Sequence, residues 1–427
     1  MFGSAYAITD MTFCTLLATI ATCLTVIGCQ RTERSGDDGP MLAASVLVLR
    51  APISVLATTA REPMVVEHAN GTLFVAGYYG SNAPSLWRST DGGTNWSTVD
   101  VGRSEDGAVG NSDVDLAMSP DGTLYFITMS YDGSVGTHIA IGVSRDEGAT
   151  WSWTPLAHSR RVDRPWVEVT PDGTAHAIWN DGNGVAYAVS RDTGRTWEAQ
   201  PRIHRQGLSS HLAVGPRGEI AVRITPVSAS GNVLHRGVDL IAVSTDGGRS
   251  WSKHPAPGVR EWHYPLVDED PIPRWVEPLA WDSTGALFSM WTDPKGLWLA
   301  RSVTDGEVWK SWRIREGGAV RYYPYLVARG SGMLAATWFS GTDSTLRAHV
   351  ARIKVAPDSA VPKVIEAEPF TPETWLWGET PGKPRLRVTA GEYFPVAFLR
   401  NGRLAVVTTI QNDQGNRNGF DWRTSER

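Results

Sequence analysis

The sequence predicts an all-β propeller of four-stranded antiparallel blades, seven of them, with six as the alternative. Three observations carry this: a short turn frame that recurs along the chain, an apolar hairpin ahead of each turn, and an apolar N-terminal segment that matches a strand missing from the last repeat.

The turn frame is Ser-x-Asp-x-Gly-x-x-Trp. It occurs at Ser89 to Trp96, Ser144 to Trp151, Ser190 to Trp197 and Ser244 to Trp251, with aspartates Asp91, Asp146, Asp192 and Asp246. A fifth copy, Ser302 to Trp309, carries Thr304 in place of the aspartate. An aspartate can accept hydrogen bonds from N–H groups of its own turn, glycine adopts backbone angles costly for other residues, and tryptophan buries a large apolar surface. The frame is therefore a hairpin clasp.

Ahead of each frame runs a strand, a Gly-containing turn and a second strand, starting at Pro63, Val114, Pro165 and His211. Three further hairpins start at Pro278, Pro324 and Pro395. Branched and alternating apolar residues around such turns are strand signals. A third strand leads into each turn frame and a fourth leaves it, which makes one blade per repeat of about 50 residues. The last repeat stops after its third strand, near Asn418, while Leu42 to Leu56 has no partner in its own repeat. We expect that segment to supply the outer strand of the final blade, giving one propeller over residues 42–427. Longer connections, His254 to Trp275 and Pro357 to Ala390, interrupt the regularity and are placed where a site could be shaped.

The N-terminus reads differently. The apolar run Phe13 to Ile27 is too short to span a bilayer comfortably and reads as the core of an export signal over residues 1–28, whose start is Met1 or Met11. Val26-Ile27-Gly28-Cys29 is similar to a bacterial lipobox, which implies lipidation of Cys29, residues 29–41 as a tether, and anchoring at an outer membrane or cell surface; plain secretion is the alternative. The three cysteines, Cys14, Cys23 and Cys29, all precede the propeller, so disulfides, thiolate metal sites and cysteine nucleophiles are excluded from it. A formal charge of −5 without a basic stripe points away from nucleic acid. No metal or cofactor motif stands out, and a monomer is expected.

The turn frame resembles the Asp-box, or BNR repeat, of the sialidase-like (neuraminidase) superfamily. The resemblance implies an active site at the rim of the central channel, where inner strands begin. Rim residues are Arg61, Glu62, Asp113, Asp115, Asp163, Arg164, Ser210, His211, Glu277, Arg321, Tyr322, Tyr323, Glu392 and Tyr393. Arg61-Glu62-Pro63 is similar to the family's Arg-Ile-Pro segment. By that likeness Arg61, Arg164 and Arg321 form an anion clamp, Glu277 is a base, and Tyr393 or Tyr323 is a nucleophile, with Asp163 and His211 among the substrate-binding residues. The stretch from Gly77 to Arg88, where the family's acid/base aspartate falls, contains none. The resemblance therefore favours a module that binds glycans or an envelope protein with an incomplete catalytic set; the alternative is an exo-sialidase or another glycoside hydrolase. Trp87, Trp153, Trp262, Trp275, Trp375 and Trp377 lie outside the repeat pattern and are candidates for stacking on sugars.

Overall fold

A computed structural model describes residues 46–79, 84–133, 135–182, 184–225, 238–258, 277–317, 320–342, 345–357, 361–374, 376–378, 386–388, 391–411 and 417–426. Cys29 and the segment 1–28 expected to be an export signal, the side chains of Arg321, Tyr322 and Trp377, and Trp262, Trp275 and Trp375 lie outside the described residues.

The protein is all-β and propeller-like, with four-stranded antiparallel blades. Among the described residues, five sheets have four strands each, a sixth has seven, and Leu376–Gly378 pairs with Leu386–Val388 in a two-stranded sheet. The first sheet illustrates the pattern: Arg61–Glu67, Leu73–Tyr78, Ser85–Ser89 and Ser97–Thr98 follow one another in space as in sequence. In the seven-stranded sheet one 18-residue strand, Ser152–Val169, serves two neighbours. Its first part, to Val162, pairs with Gly136–Ser144, and its remainder, from Asp163, pairs with Ala175–Asn180. The final sheet takes in both ends of the chain: Ile53–Leu56 lies antiparallel to Asn418–Thr424, which pairs with Leu404–Gln411 and then Val396–Phe398.

The inner strands close a ring. Arg61–Glu67 touches Ser112–Met118, which touches the later part of Ser152–Val169. Contact then passes through Leu208–Val214, Leu279–Trp281, Val320–Arg329 and Val396–Phe398 back to Arg61–Glu67. Second strands such as Leu73–Tyr78, Ala175–Asn180 and Ile220–Thr225 are buried at every residue. Packed between neighbouring sheets on both faces, they read as continuous apolar runs rather than strict alternation.

Each recurring turn holds itself together. Ser89 Oγ donates to Asp91 Oδ1 at 2.9 Å, and the same carboxylate oxygen accepts the N–H groups of Thr94 and Asn95 at 3.1 and 2.9 Å. The turns at Asp146, Asp192 and Asp246 repeat the scheme. Backbone hydrogen bonds from Asn95 are the main reason that Asp91 titrates low, at about 2. In the fifth turn Thr304 Oγ1 accepts Val308 N at 2.9 Å, so a hydroxyl takes over the carboxylate's role.

The turns also join sheets to one another. Gly93 sits against the Trp422 ring of the final sheet and Gly248 against the Tyr187 ring of the preceding one, each at positive φ, and a Cβ at either would collide with that ring. Trp96 of the first turn packs edge-on against Phe420 and Trp422, at 5.3 and 5.2 Å. The clasp expected within a sheet is thus also a seam between sheets, including the one between the first and the last.

Candidate active site at the channel mouth

Three inner strands begin with the same irregularity. Glu62, Arg164 and Tyr323 each precede a proline and each adopt a positive φ, 47°, 50° and 45°. The pairing register slips at or opposite each of these points. A bulky residue before proline in the left-handed region is strained, and the bulge re-aims its side chain away from the ladder. Such strain is tolerated where the surroundings over-determine it, as they do here.

These bulges assemble an ionic cluster. Arg164 is its hub: one terminal nitrogen donates to Glu392 Oε2 at 2.6 Å, the other to the Tyr393 phenol at 3.2 Å, and Nε lies 3.7 Å from Asp163 Oδ2. The Arg164 side chain is only 11% exposed, whereas Asp163 and Glu392 keep 35% and 28% of theirs open to solvent. Glu62 is buried and accepts the Glu392 backbone N–H at 3.0 Å. Arg61 lies 5.7 Å from the Tyr78 ring centre and interacts with Glu62, Asp113 and Glu392.

Four carboxylates, Glu62, Asp113, Asp163 and Glu392, therefore share two guanidinium groups. Burial, together with repulsion from Asp113 and Glu392, pushes Asp163 up to about 7 although Arg164 opposes it. Burial and the Asp113 charge push Glu62 up to about 8. Tyr393 is 4% exposed and raised well above the usual phenol value, first by burial and then by Asp113, Glu62 and Glu392 against the opposing pull of Arg164. It is held as a phenol whose oxygen accepts a hydrogen bond from Arg164.

Below the mouth the channel opens into a cavity of about 290 Å³ lined by Met64, Asp115, Trp166, Glu168, His211 and Tyr325, among others. Trp166 bridges the two levels, its ring 5.1 Å from Tyr393 and 5.0 Å from His211. His211 accepts Leu279 N at 3.4 Å and is kept neutral by burial, its pKa lowered to about 4. Asp115 accepts two backbone N–H groups, from Leu116 at 2.8 Å and Val167 at 2.9 Å, yet burial raises it to about 7. Burial and the nearby Asp115 raise Glu168 to about 8.

Of the residues singled out in the sequence, Arg61, Asp163, Arg164 and Tyr393 converge at the mouth. His211 lies one level deeper, and Tyr323 is buried at its own bulge. Glu277 belongs to another group: Arg223 donates to it through two nitrogens and also pairs with Asp239 at 3.2 Å. Trp87 is a core residue at 2% exposure, and Trp153 packs on Phe126 while donating to Val101 O at 2.7 Å, so neither offers a face for stacking on sugars. Sequence reasoning did not find Tyr78. Its signal is position, since it ends a second strand opposite Arg61 in the register.

No protein-family model matches the sequence, and a comparison with curated proteins finds no match either. Among solved structures, an ulvan lyase of polysaccharide lyase family PL25 superposes with a TM-score of 0.53 at 12% identity, over 87% of this chain and 95% of that one. An α-L-arabinanase of Penicillium chrysogenum matches with a TM-score of 0.48 at 15% identity, over 88% and 98%. The sialidase of Trypanosoma rangeli matches with 0.43 at 14% identity, over 68% and 54%. Structural neighbours thus include sialidases, arabinanases and a polysaccharide lyase, and the likeness to the lyase is one of fold.

Proposed function

We propose that this protein is a glycan-acting propeller whose mouth cluster cleaves glycosidic bonds of uncharged sugars. One observation carries the reading: Asp163 and Glu392, two solvent-reaching carboxylates, flank a single guanidinium in unlike environments. Asp163 keeps its proton near neutrality, as a general acid toward a leaving oxygen must, while Glu392 is ion-paired to Arg164, as a base or nucleophile requires. Tyr393 orients from beneath through Arg164.

The preference for uncharged sugars follows from charge. Arg61 and Arg164 already face four carboxylates, which leaves no free clamp among the described residues for a substrate carboxylate. The propeller itself we read as seven blades, taking the seven-stranded sheet as two blades joined through Ser152–Val169, with Ile53–Leu56 as the closing outer strand. The closed succession of inner-strand contacts supports that count.

The test is turnover of a panel of aryl glycosides, neutral and sialylated, by the purified protein. Asp163→Asn and Glu392→Gln should each lower kcat/KM by about 10²–10⁴-fold on a neutral glycoside, with activity declining above about pH 7 as Asp163 ionises. Sialoside turnover with neutral glycosides untouched would overturn the substrate class. Glycan binding without any turnover would overturn the chemistry in favour of a binding module.

A further inference from the structure

At the mouth end of the sheet Val320–Arg329, Met333–Thr342, Thr345–Lys354 and Lys363–Glu366, three side chains form a line. Ser340 Oγ lies 2.7 Å from His349 Nε2, and His349 Nδ1 lies 2.5 Å from Glu366 Oε1. Ser340 pairs in register with Arg321, at the start of an inner strand, so the line stands at the same end of the ring as the mouth cluster.

The protonation pattern follows from the contacts. Arg315 Nε donates to Glu366 Oε2 at 2.7 Å, which fixes the carboxylate and leaves Oε1 for the imidazole. Hydrogen bonds from His349 and Arg315 outweigh burial and hold Glu366 below its usual pKa. Beside an ionised Glu366, the neutral ring of His349 can give its Nδ1–H to Oε1 and turn the Nε2 lone pair toward the Ser340 hydroxyl. The imidazole is further fixed by stacking on Trp338, with centroids 5.1 Å apart and planes 8° from parallel.

The neighbouring sheet shows what this place looks like as a purely structural contact. There Trp298 stacks on Trp291 as His349 does on Trp338, each pair directly opposite in register. Trp298 Nε1 donates to Asp293, two residues beyond Trp291, as Ser340 is two beyond Trp338. The same architecture in the His349 sheet has a basic ring instead of an indole, a hydroxyl instead of a carboxylate, and an added carboxylate behind the ring. Packing needs none of these three changes, whereas activation of a hydroxyl needs all of them.

We propose that Ser340, His349 and Glu366 form a nucleophilic relay that hydrolyses small acyl esters, a second activity independent of the glycosidic site. Ser340 Oγ attacks the ester carbonyl while its proton passes to His349 Nε2, and that proton leaves with the alcohol as the C–O ester bond breaks. Water then attacks the acyl-serine, giving its proton to His349, and the carboxylic acid departs as Ser340 recovers its hydrogen. Ser340 and His349 are the catalytic pair; Glu366 and Arg315 are positioning residues.

The experiment treats the whole protein with a fluorophosphonate probe, locates the adduct by peptide mass spectrometry, and measures hydrolysis of 4-nitrophenyl acetate. Phosphonylation at Ser340 is expected, with ester turnover falling at least about 10²-fold in Ser340→Ala at an unchanged melting temperature. Glu366→Gln should keep the adduct site while lowering kcat and displacing the pH profile, which a merely structural carboxylate would not do. An adduct elsewhere, no adduct, or undiminished turnover in Ser340→Ala would overturn the proposal. Glycoside turnover in Ser340→Ala is read separately, so that the two sites fail or stand independently.

Discussion

Thr304 stands where four sister turns carry an aspartate, and it shows how little of the frame depends on any one atom. Its hydroxyl accepts Val308 N, Ser302 Oγ still accepts Gly306 N at 3.0 Å, and Trp309 still donates to Gly306 O at 2.8 Å. A hydroxyl nevertheless offers fewer lone pairs and no charge, and hydrogen bonds to charged acceptors are the stronger kind. Thr304→Asp should therefore stabilise the protein by about 0.5–1 kcal/mol, a rise in melting temperature of about 1–4 °C. A fall, measured by differential scanning calorimetry, would mean that the fifth turn has settled into a geometry of its own. These turns were legible in the sequence because eight consecutive residues contain both the donors and the acceptors. The Ser340 relay was not, since its members come from three strands and no local spacing marks them.

At the scale of strands and sheets, Arg223 is the most consequential tie. It projects from the second strand Ile220–Thr225 and reaches Glu277, just ahead of the next inner strand, and Asp239, all three essentially without solvent. Buried charges of this kind are costly to leave uncompensated. Arg223→Met should destabilise the protein by about 3–5 kcal/mol by leaving two buried acids without their cation. A urea-denaturation midpoint shifted by the equivalent of less than about 1 kcal/mol would show that the acids simply take up protons. The sequence reading put Glu277 among the rim residues and the resemblance offered it to a tyrosine, whereas the structure buries it against Arg223. Its partner Arg223 is 54 residues away on another sheet, a pairing that periodicity does not reveal. The bulges at Glu62, Arg164 and Tyr323 were half legible: the recurring residue–proline step is visible, while the left-handed backbone that aims the side chain is not.

For the whole molecule, the acids around the axis govern how stability varies with pH. Glu62, Asp115, Asp163 and Glu168 sit near 7 to 8 in the folded state against 3.8 to 4.5 ordinarily, so the native protein retains protons that the unfolded chain has released. Their contribution is complete below the ordinary values and is lost as pH rises through the folded ones. His176 and His211, lowered to about 4 from 6.5, act oppositely, and theirs is lost as pH falls below 6.5. Above 6.5 only the carboxylates remain, so the melting temperature should drop steadily to about pH 8.5, and Glu168→Gln should lessen that drop. A flat profile would mean that the channel acids are better solvated than their burial implies. The architecture that concentrates these groups was the most legible level of all, because a repeated strand–turn pattern dictates which residues face an axis. Which of them meet there is decided by tertiary detail.

Ser152–Val169 runs through the middle of the seven-stranded sheet, its first part paired with Gly136–Ser144 and its later part with Ala175–Asn180. The strands on either side of it have no loop between them to act as a joint, so they should tilt and breathe as one plate. The opposite holds where the ring closes: among the described residues the beginning of the chain joins the last sheet through the four-residue strand Ile53–Leu56 and a short bridge from Leu49 to Ser425. Thermal opening of the circle is therefore channelled to that short stitch, and local unzipping there should precede any loss of the plate.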